Sequence, residues 1–341
     1  MKFQGPNTVY FQEGGSGGGG GGSAAFDNSV AAAAVDINGT DIVAFCFIDT
    51  TQDDNADWIR QVSHTSYYKE TLNTATRGAQ REPYPYMFAW AQADKVTVND
   101  AVTGDMWMVL APNSAAQFPH LWRVTRTATS IDYLDGVLTI GLSGDPNAGI
   151  IELDFVEDTA SRRNASGLYS SIPIADRNRT DLPAMTLVNS DGIGDHSVNA
   201  VAMTRDPKAP RTRNGMAMPE IWIAHDTGVD KIKADKTVEG TTSTSAVTNI
   251  FIDEKARTVF AAAQVGGLWT TWPLDEALPS GSGHLNNSWN GSIWDDAGAT
   301  IPILDPNGSG CPGAFGGADG LTQFIYNPSD PEKSLHRYIT D

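Results

Sequence analysis

The chain has 341 residues, and its 41 acidic against 23 basic side chains give a formal net charge of −18, which repels phosphate backbones and excludes nucleic-acid binding as the main task. With 40% hydrophobic residues and nine Trp spread along the chain it is too apolar for a disordered protein, and 34 Gly with 18 Pro imply many turns. Long amphipathic helical patterns are hard to find, so the expected class is all-β. The two cysteines, Cys46 and Cys311, form neither a disulfide framework nor a metal-spaced set. No run approaches the length of about 18 apolar residues needed to span a membrane, so no membrane insertion is expected. The N-terminus lacks the apolar core of a signal peptide.

In chain order, residues 1–25 read as an extended N-terminal arm. MKFQGPNTVYFQ has β character at Thr8, Val9, Tyr10 and Phe11, and it runs into the glycine-rich stretch Gly14–Ser23. Such a run serves either as a flexible tether or as an extended segment packed where only Gly fits. An aromatic peptide ahead of it has the form of an anchoring arm.

Residues 26–130 are expected to form a small β domain. DIVAFCFID (Asp41–Asp49) reads as a buried strand with Cys46 as a small core residue, and DTTQDDNADW follows as a polar loop. Asp53, Asn55 and Asp57 alternate as in some calcium loops, but the glycine and twelfth-position Glu of an EF-hand are missing, so the loop reads as solvated acid. Pro83–Asp100 carries two strands around Ala93-Asp94-Lys95, and Asp105–Pro112 another.

Residues 131–341 are expected to form a β-propeller-like domain that continues beyond 341. Val137–Leu142 and Ile150–Phe155 read as a hairpin joined by a Gly-Asp-Pro-Asn-Ala-Gly turn. Residues 157–197 read as a long connection or a degenerate strand pair. Val198–Leu274 contains a doubled unit of strand, polar turn, strand, tight turn, strand, whose glycines Gly228 and Gly267 lie 39 residues apart. Units of about 40 residues with several short strands are the signature of propeller blades, which bury their faces only by stacking. The insertion Asp206–Pro219 falls on one rim, where binding is common. Near the end, LTQFIYN resembles VTNIFID and starts a further unit.

No motif carries chemistry. The six histidines form neither HExxH nor a close pair, and there is no G-x-S-x-G elbow or phosphate loop. Ser292–Gly298 is one incomplete match to a sialidase-type block. His225-Asp226 reads as a turn pair ahead of a rim ligand contact, and Trp269 and Trp272 as packing ahead of sugar stacking. No catalytic, cofactor-binding or metal residue, and no cofactor, is assigned.

HTSYYKETLNTATRGAQRE with AQADKVTVND and DMWMV, together with VNAVAMTRDPKAPRTRNGMAMPEIWIAHDTGVDKIKADKTV, resembles tail and virion-structural proteins of bacteriophages over roughly Asp41–Asp275. The resemblance implies a particle-attached, non-enzymatic fibre or appendage. It implies an arm that binds other virion proteins, a homo-oligomer for which a trimer is the natural guess, and a body that meets a host-surface glycan or receptor. A propeller glycosidase and a soluble carbohydrate-binding propeller are the alternatives.

Overall fold

The computed structural model describes residues 42–112 and 120–274, apart from 182, 207, 213–214, 243–245, 254–256 and 264–268, with Leu278 and several short strand segments. The segments β1 (Lys2–Phe3) and β2 (Val9–Tyr10) pair antiparallel; the rest of the expected arm lies outside the described residues.

The chain is all-β, and it is built from antiparallel sheets in which each strand pairs with the next. The first sheet holds β3 (Ile42–Asp49), β4 (Tyr86–Gln92), β5 (Lys95–Asp100) and β6 (Met106–Leu110). The second holds β7 (Thr127–Leu134), β8 (Val137–Ser143), β9 (Gly149–Asp154), β10 (Thr159–Asn164), β11 (Gly167–Tyr169) and β12 (Leu187–Asn189). The third holds β13 (Val198–Arg205), β14 (Pro219–His225), β15 (Gly228–Ile232) and β16 (Val238–Thr242). The fourth holds β17 (Val247–Asp253), β18 (Thr258–Ala263) and β19 (Trp269–Pro273). Further short strands, β20 (Ser292–Trp294) with β21 (Thr300–Pro302), and β22 (Ala314–Gly316) with β23 (Thr322–Ile325) and β24 (His336–Ile339), follow.

The leading strands of the four sheets pack side by side: β3 on β7, β7 on β13, β13 on β17. Successive meanders joined through their first strands are the arrangement of propeller blades. Each leading strand carries a register shift at the same place, between Ile42 and Ala44, Ala128 and Ser130, Val198 and Ala200, and Val247 and Asn249. The extra residue at each bulge is therefore Val43, Thr129, Asn199 or Thr248. A bulge re-aims its side chain out of the ladder. Here Thr129 Oγ1 donates to the Val198 carbonyl at 2.6 Å, and Asn199 Nδ2 to the Val247 carbonyl at 2.9 Å. The bulges at Thr129 and Asn199 thus tie their leading strands to the start of the next.

Hydrophobic layers lie between neighbouring sheets. Met87, Trp107 and Leu110 of the first sheet share a core with Leu138, Ile140 and Ile151 of the second, and with Trp58 and Tyr67 from the loops. Val137 and Ile150 pack with Val201, Ile221 and Ile223, and Trp222 and Val229 with Val247, Ile250 and Val259. The division expected between residues 130 and 131 falls inside β7, and the core crosses it. Residues 42–110 are a blade whose first and second strands are separated by a long insertion, 50–85, and that insertion hides the repeat from a spacing argument.

Residues 157–197 are more regular than expected. They supply β10, β11 and β12, which extend the second sheet to six strands. Buried arginines hold the irregular segments by capping their carbonyls. Arg162 donates to His120 O at 3.0 Å and Asn147 O at 2.8 Å and lies over the Tyr169 ring; Arg163 donates to Asp191 O and Lys236 O. Arg177 pairs with Glu70 at 2.5 Å and donates to Thr76 O and Val109 O. Arg77, also buried, lies 3.1 Å from Glu70, donates to Trp107 O at 2.6 Å and sits over the Trp107 ring. His64–Glu82 forms 3-10 turns and loop.

Candidate functional site

A solvent-connected cavity of about 480 Å³ lies between the second and third sheets, within the size range of small-molecule sites. Its floor follows from strand alternation. Glu152 and Asp154 sit two residues apart on β9 and so share a face; across the ladder they oppose Ser161 and Thr159 of β10. These four polar side chains form one patch. Leu168 and Tyr169 of β11 continue the wall, and Val188 of the edge strand β12 stands at the mouth, 61% exposed. The opposite wall comes from the third sheet: Lys236 in the β15–β16 turn, and Thr212, Ala217 and Met218 of the insertion that precedes β14. The insertion expected at a rim thus helps to build the cavity.

The electrostatics are acidic. Lys236 Nζ donates to Glu152 Oε2 at 2.6 Å, while Glu152 Oε1 is buried without a hydrogen-bond partner. Asp154 Oδ1 accepts from the backbone N–H groups of Val156 and Glu157 at 3.0 and 2.9 Å. Burial pushes the Asp154 carboxyl up to about 6, against the Glu157 N–H bond and Lys236, which favour the ionised form, while the Glu157 carboxylate adds to the rise. Glu157 Oε1 is likewise buried and without a partner. The cavity wall therefore carries four carboxylates, two of which have an enclosed oxygen without a partner and one of which holds its proton close to neutral pH.

A second cluster lies beside it. Asp53 is not a solvated loop residue: it is 9% exposed, and its Oδ2 accepts from Trp58 Nε1 at 2.7 Å and Tyr133 Oη at 2.6 Å. Burial pushes its carboxyl up to about 7 despite those two donors; Asp135 raises it further and Arg205 opposes the rise. Asp135 and Gly136, both at positive φ, form the two-residue β7–β8 turn. Asp135 takes a two-pronged ion pair from Arg205 of β13, 2.6 and 2.7 Å, and accepts from Asp54 N. Asp54 in turn pairs with Arg211 at 2.5 Å and accepts from Ala217 N, which pins the insertion that walls the cavity. Asn55 caps a 3-10 turn and Asp57 is exposed beside Arg60, so Asp53, Asn55 and Asp57 do not converge. Among the described residues no group of three or more His, Cys, Asp or Glu could hold a metal ion.

His225 ends β14 and Asp226 begins the turn after it. Asp226 accepts from Asn199 Nδ2 at 2.9 Å, a side-chain rather than a backbone donor. His225 is buried, with Nε2 3.1 Å from Asp230 Oδ2 but off the alignment of a hydrogen bond; the Asp230 carboxylate instead accepts from Gly194 N at 2.5 Å. On its other side His225 Nδ1 accepts from Thr227 N at 3.3 Å and lies 3.2 Å from Thr227 Oγ1, so the group fastens the turn after β14 and the connection before β13, and none of its members lines the cavity. Cys46 is buried and free. Cys311, His284 and the side chains of Trp269, Trp272 and His336 lie outside the described residues, as does most of Ser292–Gly298. No helix among the described residues is long and apolar enough to cross a membrane.

The cavity residues had little signal in the sequence. Glu152 and Asp154 alternate in IIELDF, which marks one face of a strand, but only the fold brings Lys236 and Met218 opposite them. No family model matches the chain, and no curated protein matches it. Among solved structures it is similar to "Dihydro-heme d1 dehydrogenase NirN in complex with DHE", with a TM-score of 0.38 and 8% sequence identity, over 75% of this chain and 55% of that one.

Proposed function

We propose that the chain is a structural component of a bacteriophage virion, of tail-fibre or appendage type, held to the particle by residues 1–25 and presenting a β-rich body for host attachment. The observation that carries this reading is the continuity of the body: β7, β13 and β17 are linked in series through bulge side chains, and a shared hydrophobic layer lies at each of the three junctions from β3 to β17. A body so joined resists bending between blades, which suits a displayed part. The acidic cavity on its rim is the proposed point of contact with the host. Self-association into a symmetric homo-oligomer belongs to the same proposal.

Immunogold electron microscopy tests it, with antibody against residues 26–341 applied to purified particles. Label on fibres or appendages is expected. Unlabelled particles beside label in soluble lysate would remove the particle-bound reading.

One observation favours a second reading, a glycosidase. Asp154, held up to about 6, and Glu152 project from one strand face, and alternate residues of a strand lie roughly 6.6–6.8 Å apart at Cα. Release of reducing sugar from host polysaccharide, abolished by Asp154→Asn, would favour it over a binding role.

A further inference from the structure

Sheet edges that stay open to water invite pairing, and natural sheets cover or charge them. The outer edge of the first sheet is covered: Gly78 N donates to Trp107 O and Val109 N to Thr76 O, both at 3.0 Å. Edge strand β16 of the third sheet carries Glu239, ion-paired with Lys233 at 3.0 Å. Edge strand β12 of the second sheet has neither protection. Its residues Leu187, Val188 and Asn189 are uncharged, and among the described residues no strand or loop pairs with its outer edge. Leu187 is 49% exposed and Val188 61%, on opposite faces of the strand. The backbone edge and the apolar side chains on both faces are thus open to an added strand, which is the arrangement of β-augmentation.

The N-terminal arm holds strands that lack a sheet. β1 and β2 form a two-stranded hairpin, with Lys2 opposite Tyr10 and Phe3 opposite Val9, and within one chain it is hydrogen-bonded to no other described strand. A hairpin of two strands is marginally stable at best in water, and a third strand is what stabilises it. Charge selects the hairpin over a second β12 as the occupant of the edge. The chain carries −18 and Asp191 stands just beyond β12, so two β12 edges brought together set acid against acid. Residues 1–12 carry Lys2 and no acid. Residues 11–41 separate the hairpin from β3, and at about 3.3–3.6 Å each they reach roughly 100 Å, enough to meet a neighbouring molecule.

We propose that the β1–β2 hairpin of one copy adds to the free edge of β12 in a second copy, so that exchanged arms join the copies. The hairpin gains its third strand, and the six-stranded sheet loses its open edge. Exchange of an element between identical copies adds little cost, because each copy gives an arm and accepts one. The inference rests on the reading above only in taking residues 1–25 as an attachment arm, and it names what the arm attaches to.

Cross-linking of purified full chains tests it, in a Cys311→Ser background, since Cys46 is buried. One chain carries Val9→Cys, a second chain with a different tag carries Val188→Cys, and the two are mixed and oxidised. A disulfide between differently tagged chains is expected. Disulfides among Val188→Cys chains alone would mean that β12 pairs with β12, and would overturn the proposal. A chain carrying both substitutions that closes only on itself at micromolar concentration also overturns it, because the arm then lies on its own sheet. Sedimentation gives an independent readout. The full chain is expected to associate, and deletion of residues 1–12 to reduce the mass to that of one chain. Leu187→Lys, which charges the edge at an exposed position, is expected to do the same. Both variants are expected to keep a cooperative thermal melt, which separates lost association from misfolding. A full chain that is monomeric at micromolar concentration, or an oligomer that survives the deletion, overturns the proposal. These outcomes are read on purified chains, so arm exchange beside unlabelled particles would remove the particle-bound reading alone.

Discussion

At the scale of single residues, the informative groups are buried acids whose sequence context reads as surface. Asp53 lies in DTTQDDNADW, a stretch of acids and amides with one apolar anchor, Trp58. That anchor turns the loop inward, and the Trp58 indole and Tyr133 hydroxyl then hold the carboxylate out of water. Composition could not show this, because Tyr133 is 80 residues away in the chain. The consequence is a pH dependence. The Asp53 carboxyl stands near 7 in the folded chain and near 3.8 when unfolded, so the unfolded state loses its proton first. Its contribution to stability is complete below about pH 4 and is lost as pH rises through 7. At 1.36 kcal/mol per pKa unit the loss approaches about 4 kcal/mol. Asp53→Asn keeps an acceptor for both donors and removes the titration. Chemical denaturation from pH 4 to pH 8 is expected to show the wild type falling relative to Asp53→Asn, with the variant the more stable at pH 8. A constant difference across that range would show that Asp53 titrates near its ordinary value in the fold.

At the scale of elements, strand alternation and turn chemistry were legible. The Asp226-Thr227 turn, the Ala93-Asp94 turn and the doubled unit from Val198 all lie where the pattern puts them. The strands β10 to β12 were not legible, because β10 (TASRRN) buries Arg162 and Arg163 instead of apolar side chains, and its pattern reads as loop. The recurring bulge was also hidden. Its four residues, Val43, Thr129, Asn199 and Thr248, share a position and not a side chain. Thr129 and Asn199 use that position to bond the next leading strand. Thr129→Val keeps shape and β propensity and deletes one bond to a carbonyl, so it is expected to cost about 1 kcal/mol. In the first sheet the same position is Val43, 48% exposed and unable to donate. Val43→Thr places a hydroxyl where Thr129 and Asn199 reach the following strand, and is expected to gain up to about 1 kcal/mol. Urea melts of the two variants, opposite in sign, would support the bulge as a linking device. A neutral Thr129→Val would remove it.

At the scale of the whole molecule, the question is whether the chain folds as one unit or several. The strand pattern reads as a small β domain over residues 26–130 and a propeller-like domain over 131–341, which sets a break near residue 130. The packing argues otherwise. A cut between 130 and 131 divides β7, strips Leu138, Ile140 and Ile151 of the partners Met87, Trp107 and Leu110, and exposes the aromatic group of Trp58, Tyr67, Trp107 and Phe155. Losing the burial of even a single large side chain costs about 1.5–3 kcal/mol, and a domain of ordinary size holds only about 5–15 kcal/mol in reserve. Each fragment would also present an unpaired leading-strand edge, the form of surface that aggregates. Expressed separately, 1–130 and 131–341 are therefore expected to be insoluble or to lack a cooperative melt. The full chain is expected to lose the first, second and third sheets together in one calorimetric transition. Hydrogen exchange adds a sharper criterion. Amides of β4, β8 and β14 should share one slow opening free energy, because successive hydrophobic layers bind those sheets to one another. If β4 exchanged through a separate, faster opening while β8 and β14 stayed protected, the first sheet would be an independent unit. The division at residue 130 would then hold in energetic terms even though no break appears in the packing.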